Sequence, residues 1–151
     1  MSTTSSAVQF HYNLGIVCLD DPVEAEIAMN CLMSMGYHPD HVPNEQEVLD
    51  AFRLRQYALI LVPEVFLDGT LDSNQVLQEL IAMNSSARRE QFCVLAGPSL
   101  STGDDMQAFV LSVDLVVNSY DLPNLGEILK VALTRKQEKN ELIRQAQTGI
   151  S

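Results

Sequence analysis

The sequence predicts an α/β fold: a single domain with five parallel strands in one doubly wound sheet and helices on both faces. Two observations carry that prediction. Strand-like apolar runs and helical patterns alternate five times along the 151 residues. Parallel strands need such crossovers, and the crossovers return right-handed over the sheet. The second observation is the run Tyr57-Ala58-Leu59-Ile60-Leu61-Val62, which has neither helical spacing nor a polar face. A run of that kind is a strand buried on both sides, hence central. Pro63 and Glu64 follow it, at the carboxyl end where open α/β sheets hold their ligands.

Each element has its own signal. Residues 1–11 are expected to form a loose leader. Asn13 to Leu19 is the first strand, closed by Asp20-Asp21-Pro22. Asp21 is placed to cap a helix whose first residue is Pro22. Val23, Ile27, Leu32 and Met35 give that helix an apolar stripe, and Gly36 stops it. Tyr37 to Val42 is a short second strand, and Pro43 puts it near an edge. Asn44 with Glu47 forms a capping arrangement for the next helix, which carries Val48, Ala51 and Phe52. The central strand comes next.

Beyond it, Val65 to Ser73 is a loop with Asp68-Gly69 as a turn signal. Asn74 to Met83 is a helix with Val76, Leu77, Leu80 and Ile81 on one face, and Ser85 to Gln91 is a polar connection. Phe92 to Ala96 is the fourth strand, ending in Gly97-Pro98. A short helix near Asp104 to Ser112 bears Met106, Phe109 and Val110, and Asp114 to Asn118 is the fifth strand. Leu122-Pro123 opens the last helix. The core domain is thus expected over residues 12–133, with a helical extension over 134–151.

Composition removes several function classes. The net charge is −11, which argues against a nucleic-acid backbone as partner. No apolar run has the length of a membrane span, and the polar first residues do not resemble a secretory signal, so a cytoplasmic protein is expected. Cys18, Cys31 and Cys93 are odd in number and scattered, with no C-x-x-C spacing, and are read as buried reduced thiols. His11, His38 and His41 are read as solvated side chains, not a metal set. No glycine-rich phosphate cradle and no G-x-S-x-G elbow occurs. No cofactor is expected.

The residues facing the carboxyl-end crevice are Asp20 and Asp21, Pro63 and Glu64, Ala96 and Gly97, and Asn118. Here the chain resembles the receiver domains of two-component response regulators. The resemblance runs from about Leu14 to Leu133. It is carried by Ile16-Val17-Cys18-Leu19-Asp20-Asp21-Pro22, by Met35-Gly36-Tyr37 leading to Asn44-Glu45-Gln46-Glu47-Val48-Leu49, and by Tyr57 to Val62. Val113 to Val117 followed by Leu122-Pro123-Asn124-Leu125 completes it. The resemblance implies a flavodoxin-like, receiver-like sheet.

It also implies a site. Receivers use an acid pair for Mg²⁺, an Asp nucleophile after the third strand, a hydroxyl after the fourth and a Lys after the fifth. Asp20 and Asp21 match the acid pair, as candidate metal ligands or their remnant. Pro63 stands at the nucleophile, Ala96 at the hydroxyl and Asn118 at the Lys. All three replacements lack the chemistry. Strand alternation sends Glu64 away from the neighbours that Pro63 joins, so it is not expected to substitute.

The leading expectation is therefore a pseudo-receiver that is not phosphorylated, is not an enzyme, and binds a protein partner in bacterial-type signalling or localisation. Its expected partner face is the fourth helix, fifth strand and fifth helix, with Met106, Phe109, Val110, Tyr120 and Leu122 as candidates. Two alternatives stay open. Asp20 and Asp21, with Glu64, can form a switch responding to a divalent metal or a cationic ligand. The basic tail can make an oligomer: Lys130, Arg135, Lys136, Lys139 and Arg144 give residues 130–151 a charge of +3, against −14 for the rest. Leu142, Ile143 and Ala146 are the apolar residues with which that tail can dock on a partner.

Overall fold

The computed structural model describes residues 13–66, 74–82 and 89–150. The leader expected over residues 1–11, His11, and the turn expected at Asp68-Gly69 lie outside them.

Five strands form one sheet: β1 (Leu14–Val17), β2 (His38–His41), β3 (Leu59–Pro63), β4 (Phe92–Gly97) and β5 (Leu115–Asn118). All neighbours are parallel, in the order β2-β1-β3-β4-β5. The helices are α1 (Pro22–Ser34), α2 (Glu45–Leu54), α3 (Gln75–Ala82), α4 (Asp105–Leu111) and α5 (Leu125–Ile150). The expected fold class is the observed one.

Side chains on each central strand alternate between two cores, because successive residues of a strand face opposite sides. Ile16, Ile60, Val62, Cys93 and Leu95 join Val48 of α2, Val76 and Leu80 of α3 and Ala108 of α4. Val17, Leu59, Leu61, Phe92 and Val94 join Ala28 and Leu32 of α1 and Leu125 and Leu129 of α5. Three helices therefore cover one face and two the other. All five residues of β3 are buried, as its uninterrupted apolar run requires. Each such buried aliphatic contributes roughly 1.5–3 kcal/mol. Edge strand β2 is polar and half-exposed, with Pro39 inside it.

The caps are the ones the sequence signals. Asp21 accepts from the amides of Val23 and Glu24, and Asn44 accepts from that of Glu47. Gly36 follows α1 at φ +93, a conformation L side chains rarely adopt, which is why glycine ends this helix. The stripe of α1 differs from expectation. Val23 is exposed and the buried residues are Ala25, Ala28 and Leu32. Val23 lies in the first turn, directly after the Asp21 cap, and is 68% exposed.

The last helix differs in a second way. Leu122-Pro123 sits in a 3-10 turn, Ser119–Asn124, and the α-helix starts at Leu125. From there α5 runs 26 residues without a break at residue 133. At 1.5 Å per residue it is about 39 Å long.

Candidate functional site

The carboxyl ends of the strands enclose a crevice of about 550 Å³, lined by Asp20, Asp21, Glu24, Pro63, Glu64, Gly97 and Tyr120 among others. It lies where the chain diverges from β1 to β2 on one side and β3 on the other, the usual ligand position in such sheets. Its acids come from three places. Asp20 and Asp21 follow β1, Glu24 is in the first turn of α1, and Glu64 follows β3. Burial, then the charges of Asp21 and Asp20, raise the Glu24 carboxyl above its ordinary value.

The structure puts Asp20 and Asp21 side by side in the crevice wall, but Asp21 is committed. Its Oδ1 accepts from the amides of Val23 at 2.9 Å and Glu24 at 3.1 Å, capping α1. Asp20 and Asp21 remain the pair that could hold a metal. Among the described residues no group of three or more His, Cys, Asp or Glu is arranged to hold one. The His41 ring is 2.9 Å from the Leu19 carbonyl oxygen, at the end of β2.

Pro63 pairs in register with Ala96, and Gly97 with Asn118. The three receiver positions singled out by the resemblance are thus neighbours across three adjacent strands. No hydroxyl, carboxylate or ammonium comes from any of them.

Glu64 points away from Ala96, the neighbour of Pro63, as alternation predicts. One register step on, its side chain lies across the backbone of Gly97, a contact the sequence reading did not anticipate. A Cβ built on Gly97 would collide with Glu64 Oε1 and Cβ. The Ser99 amide donates to Glu64 Oε1 at 3.3 Å, and the Ser99 hydroxyl makes a short contact with Oε2. A carboxylate thus spans β3 and the β4–α4 loop.

Asn118 completes the closure of that loop. Its side-chain amide donates to the carbonyls of Pro98 at 3.2 Å and Leu100 at 2.8 Å. Its Oδ1 accepts from the Tyr120 amide at 2.9 Å. The Asn118 backbone amide donates to Thr102 Oγ1 at 2.7 Å, and Thr102 donates to Asp121 at 2.5 Å. A lysine could donate here but could not also accept from Tyr120. Asn118 is therefore a loop brace.

Three braces went unnoticed in the sequence: Asn74, Ser99 and Thr102. Asn74 is 2 % exposed, and its Nδ2 donates to the carbonyls of Pro63 at 3.0 Å and Glu64 at 3.3 Å. Its Oδ1 accepts from the Leu77 amide at 3.0 Å, capping α3. The available signal was Asn at a helix start, which is a capping residue by type. Its second task, across to β3, needs the fold.

The other predicted residues lie on the α4–β5–α5 side. Met106, Phe109 and Val110 of α4 are 70 %, 80 % and 70 % exposed, and Tyr120 and Leu142 are exposed as well. Ile143 is half-buried. Leu122 is corrected: it is 1 % exposed and belongs to the core under α1 and α5. The 3-10 turn points Tyr120 outward and Leu122 inward, which a helical reading starting at Leu122 does not anticipate.

The start of the basic tail lies against the body. Lys136 pairs with Asp114 at 3.0 Å, contacts the Gln91 carbonyl, and sits 5.8 Å from the centre of the Phe92 ring. Arg135 meets Asp105 at 3.2 Å, and Asn140 donates to the Arg89 carbonyl at 3.2 Å. Between α4 and α5 a groove of about 670 Å³ remains, with Phe109 and Ile143 in its lining.

The chain has the receiver fold. A response regulator from Hahella chejuensis matches with a TM-score of 0.57 at 16% identity, over 80% of this chain and 92% of that one. The N-terminal domain of the nisin resistance regulator NsrR, a lantibiotic response regulator, gives 0.50 at 20% identity, over 69% and 80%. The chemotaxis response regulator CheY4 of Vibrio cholerae gives 0.50 at 12% identity, over 77% and 96%. No protein-family model matches the chain, and no curated protein sequence matches it. No helix among the described residues is long and apolar enough to cross a membrane.

Proposed function

We propose that this chain is a pseudo-receiver: a signalling module, not an enzyme, that binds a protein partner without being phosphorylated. One observation carries the reading. The position beside Ala96 where a receiver offers its nucleophile is Pro63, and the next carboxylate, Glu64, is engaged by Ser99 across Gly97. A phosphoryl group has no acceptor there, no ammonium to meet its charge, and four carboxyl side chains around it. The partner surface is the face of α4, β5 and α5, where Met106, Phe109 and Val110 stand exposed on one helix.

The alternatives have less support. A metal switch on Asp20 and Asp21 would draw on an Asp21 whose Oδ1 already caps α1. An oligomer built on the tail would compete with Arg135–Asp105 and Lys136–Asp114 of the same chain.

Incubation with acetyl phosphate and Mg²⁺ is expected to leave the intact mass unchanged. A stable gain of one phosphoryl group overturns the reading. Pull-down from the native host with wild-type and Phe109→Ala proteins tests the surface: a partner captured equally by both places docking elsewhere.

A further inference from the structure

The groove between α4 and α5 holds more positive charge than its own acids pair. From this we infer that it is a binding site for a small phosphate-bearing ligand with a planar ring, of the nucleoside phosphate class. Such a site needs no protein partner on the same face. Four cationic residues line the groove, Arg89, Arg135, Lys136 and Lys139, against two acids, Asp105 and Asp114. Both acids are taken: Asp105 meets Arg135 at 3.2 Å, and Asp114 meets Lys136 at 3.0 Å.

Two cations are left over. Arg89 and Lys139 make no ion pair with the described residues. The fold also brings them together. The Asn140 side chain donates to the Arg89 carbonyl at 3.2 Å, which holds the Arg89 backbone against α5 next to Lys139. Like charges in one groove repel, and an anion between them reverses the sign of that energy. A phosphate suits both, because a guanidinium donates to two of its oxygens while the ammonium acts as a point charge. Arg135, one helical turn before Lys139, can add a third donor, since its pair with Asp105 is exposed and weak.

The ring follows from the rest of the lining. Phe109 borders the same groove at 80 % exposure, and Val113 and Leu115 are buried in it. Phe92 is already covered by the Lys136 ammonium, 5.8 Å from its centre, so Phe109 is the aromatic face open to a ligand. A base stacks on such a face whatever its sequence identity, because every base has a π-surface. The groove volume, about 670 Å³, falls within the roughly 300–1,000 Å³ of small-ligand sites.

A small anion is favoured over a polymeric one. The whole chain carries −11, which opposes a long phosphate backbone that has to run past the groove. At physiological salt, charges more than about 8 Å away are largely screened, so a ligand that stays inside the groove meets mainly Arg89, Arg135 and Lys139.

The test is amide NMR of the full chain, titrated in turn with the common ribonucleoside mono- and triphosphates, adenosine, inorganic phosphate and a single-stranded oligonucleotide. Saturable shifts at Arg89, Phe109 and Lys139 are expected with a nucleotide, and adenosine or phosphate alone should bind roughly tenfold more weakly. Lys139→Glu should weaken the nucleotide roughly tenfold. Phe109→Ala should weaken the nucleotide and leave inorganic phosphate unchanged. Both positions are exposed, and unchanged shifts in the sheet verify that each variant is folded. No saturable shift in the groove at about 10 mM nucleotide overturns the inference, as does nucleotide binding indifferent to Lys139→Glu. Adenosine binding as tightly as its phosphates removes the role of the cations and overturns it too. Phosphate binding as tightly as any nucleotide, with Phe109→Ala silent, leaves an anion contact and overturns the nucleoside class. An oligonucleotide that outcompetes every mononucleotide assigns the groove to nucleic acid instead.

Discussion

Glu64 lies across Gly97, so close that the glycine has no room for a Cβ. The two residues belong to different strands' ends, and Ser99 fixes the contact from the loop that leads to α4. One wall of the crevice in this receiver fold is therefore formed by its own carboxylate.

Gly97→Ala is expected to destabilise the chain by about 1–3 kcal/mol through overpacking. Combined with Glu64→Gly, much of that loss should be recovered, because both the colliding carboxylate and the colliding Cβ are gone. Denaturant unfolding of the four proteins gives the coupling directly. Strictly additive losses would mean that the two side chains do not meet.

Asn118→Lys, which writes a receiver's lysine into the site, should be destabilising by roughly 1–2 kcal/mol. Lysine cannot accept from the Tyr120 amide while bracing Pro98 and Leu100. The same variant should remain inert to acetyl phosphate, since Pro63 is unchanged. Thermal unfolding and intact mass read the two outcomes.

Asn74→Ala removes one buried side chain that joins β3 to α3 and leaves the carbonyls of Pro63 and Glu64 without it. A loss of about 2 kcal/mol is expected. Hydrogen exchange should localise the added opening to α3 and the end of β3. A uniform increase across the sheet would contradict the assignment.

Tyr57 supplies a pH dependence. Burial, then its hydrogen bond to Asp40 at 2.8 Å, raises its phenol above the ordinary value of 10.0. The folded state therefore holds the proton more tightly than the unfolded chain. The stability this contributes is complete below pH 10.0 and is lost as the pH rises toward the folded value. Tyr57→Phe should lower stability by about 1 kcal/mol at neutral pH and flatten the alkaline decline, measured by urea unfolding across pH.

The parallel sheet and its central strand are legible in the chain, because a strand buried on both faces must be apolar throughout, and Leu59 to Val62 is. The caps at Asp21 and Asn44 are legible too, since capping is decided within four residues. The side chains at Pro63, Ala96 and Asn118 are legible as well, and they carry neither a carboxylate, a hydroxyl nor an ammonium. Tertiary structure decided the rest. What Glu64 meets depends on Gly97, 33 positions away in sequence, and why Asn118 is useful depends on a loop carbonyl. Tyr120 is at the surface and Leu122 in the core because a 3-10 turn, not an α-helix, carries them. The partners that a side chain meets, and charge paired across elements, are set by contacts between distant parts of the chain, which local periodicity does not encode.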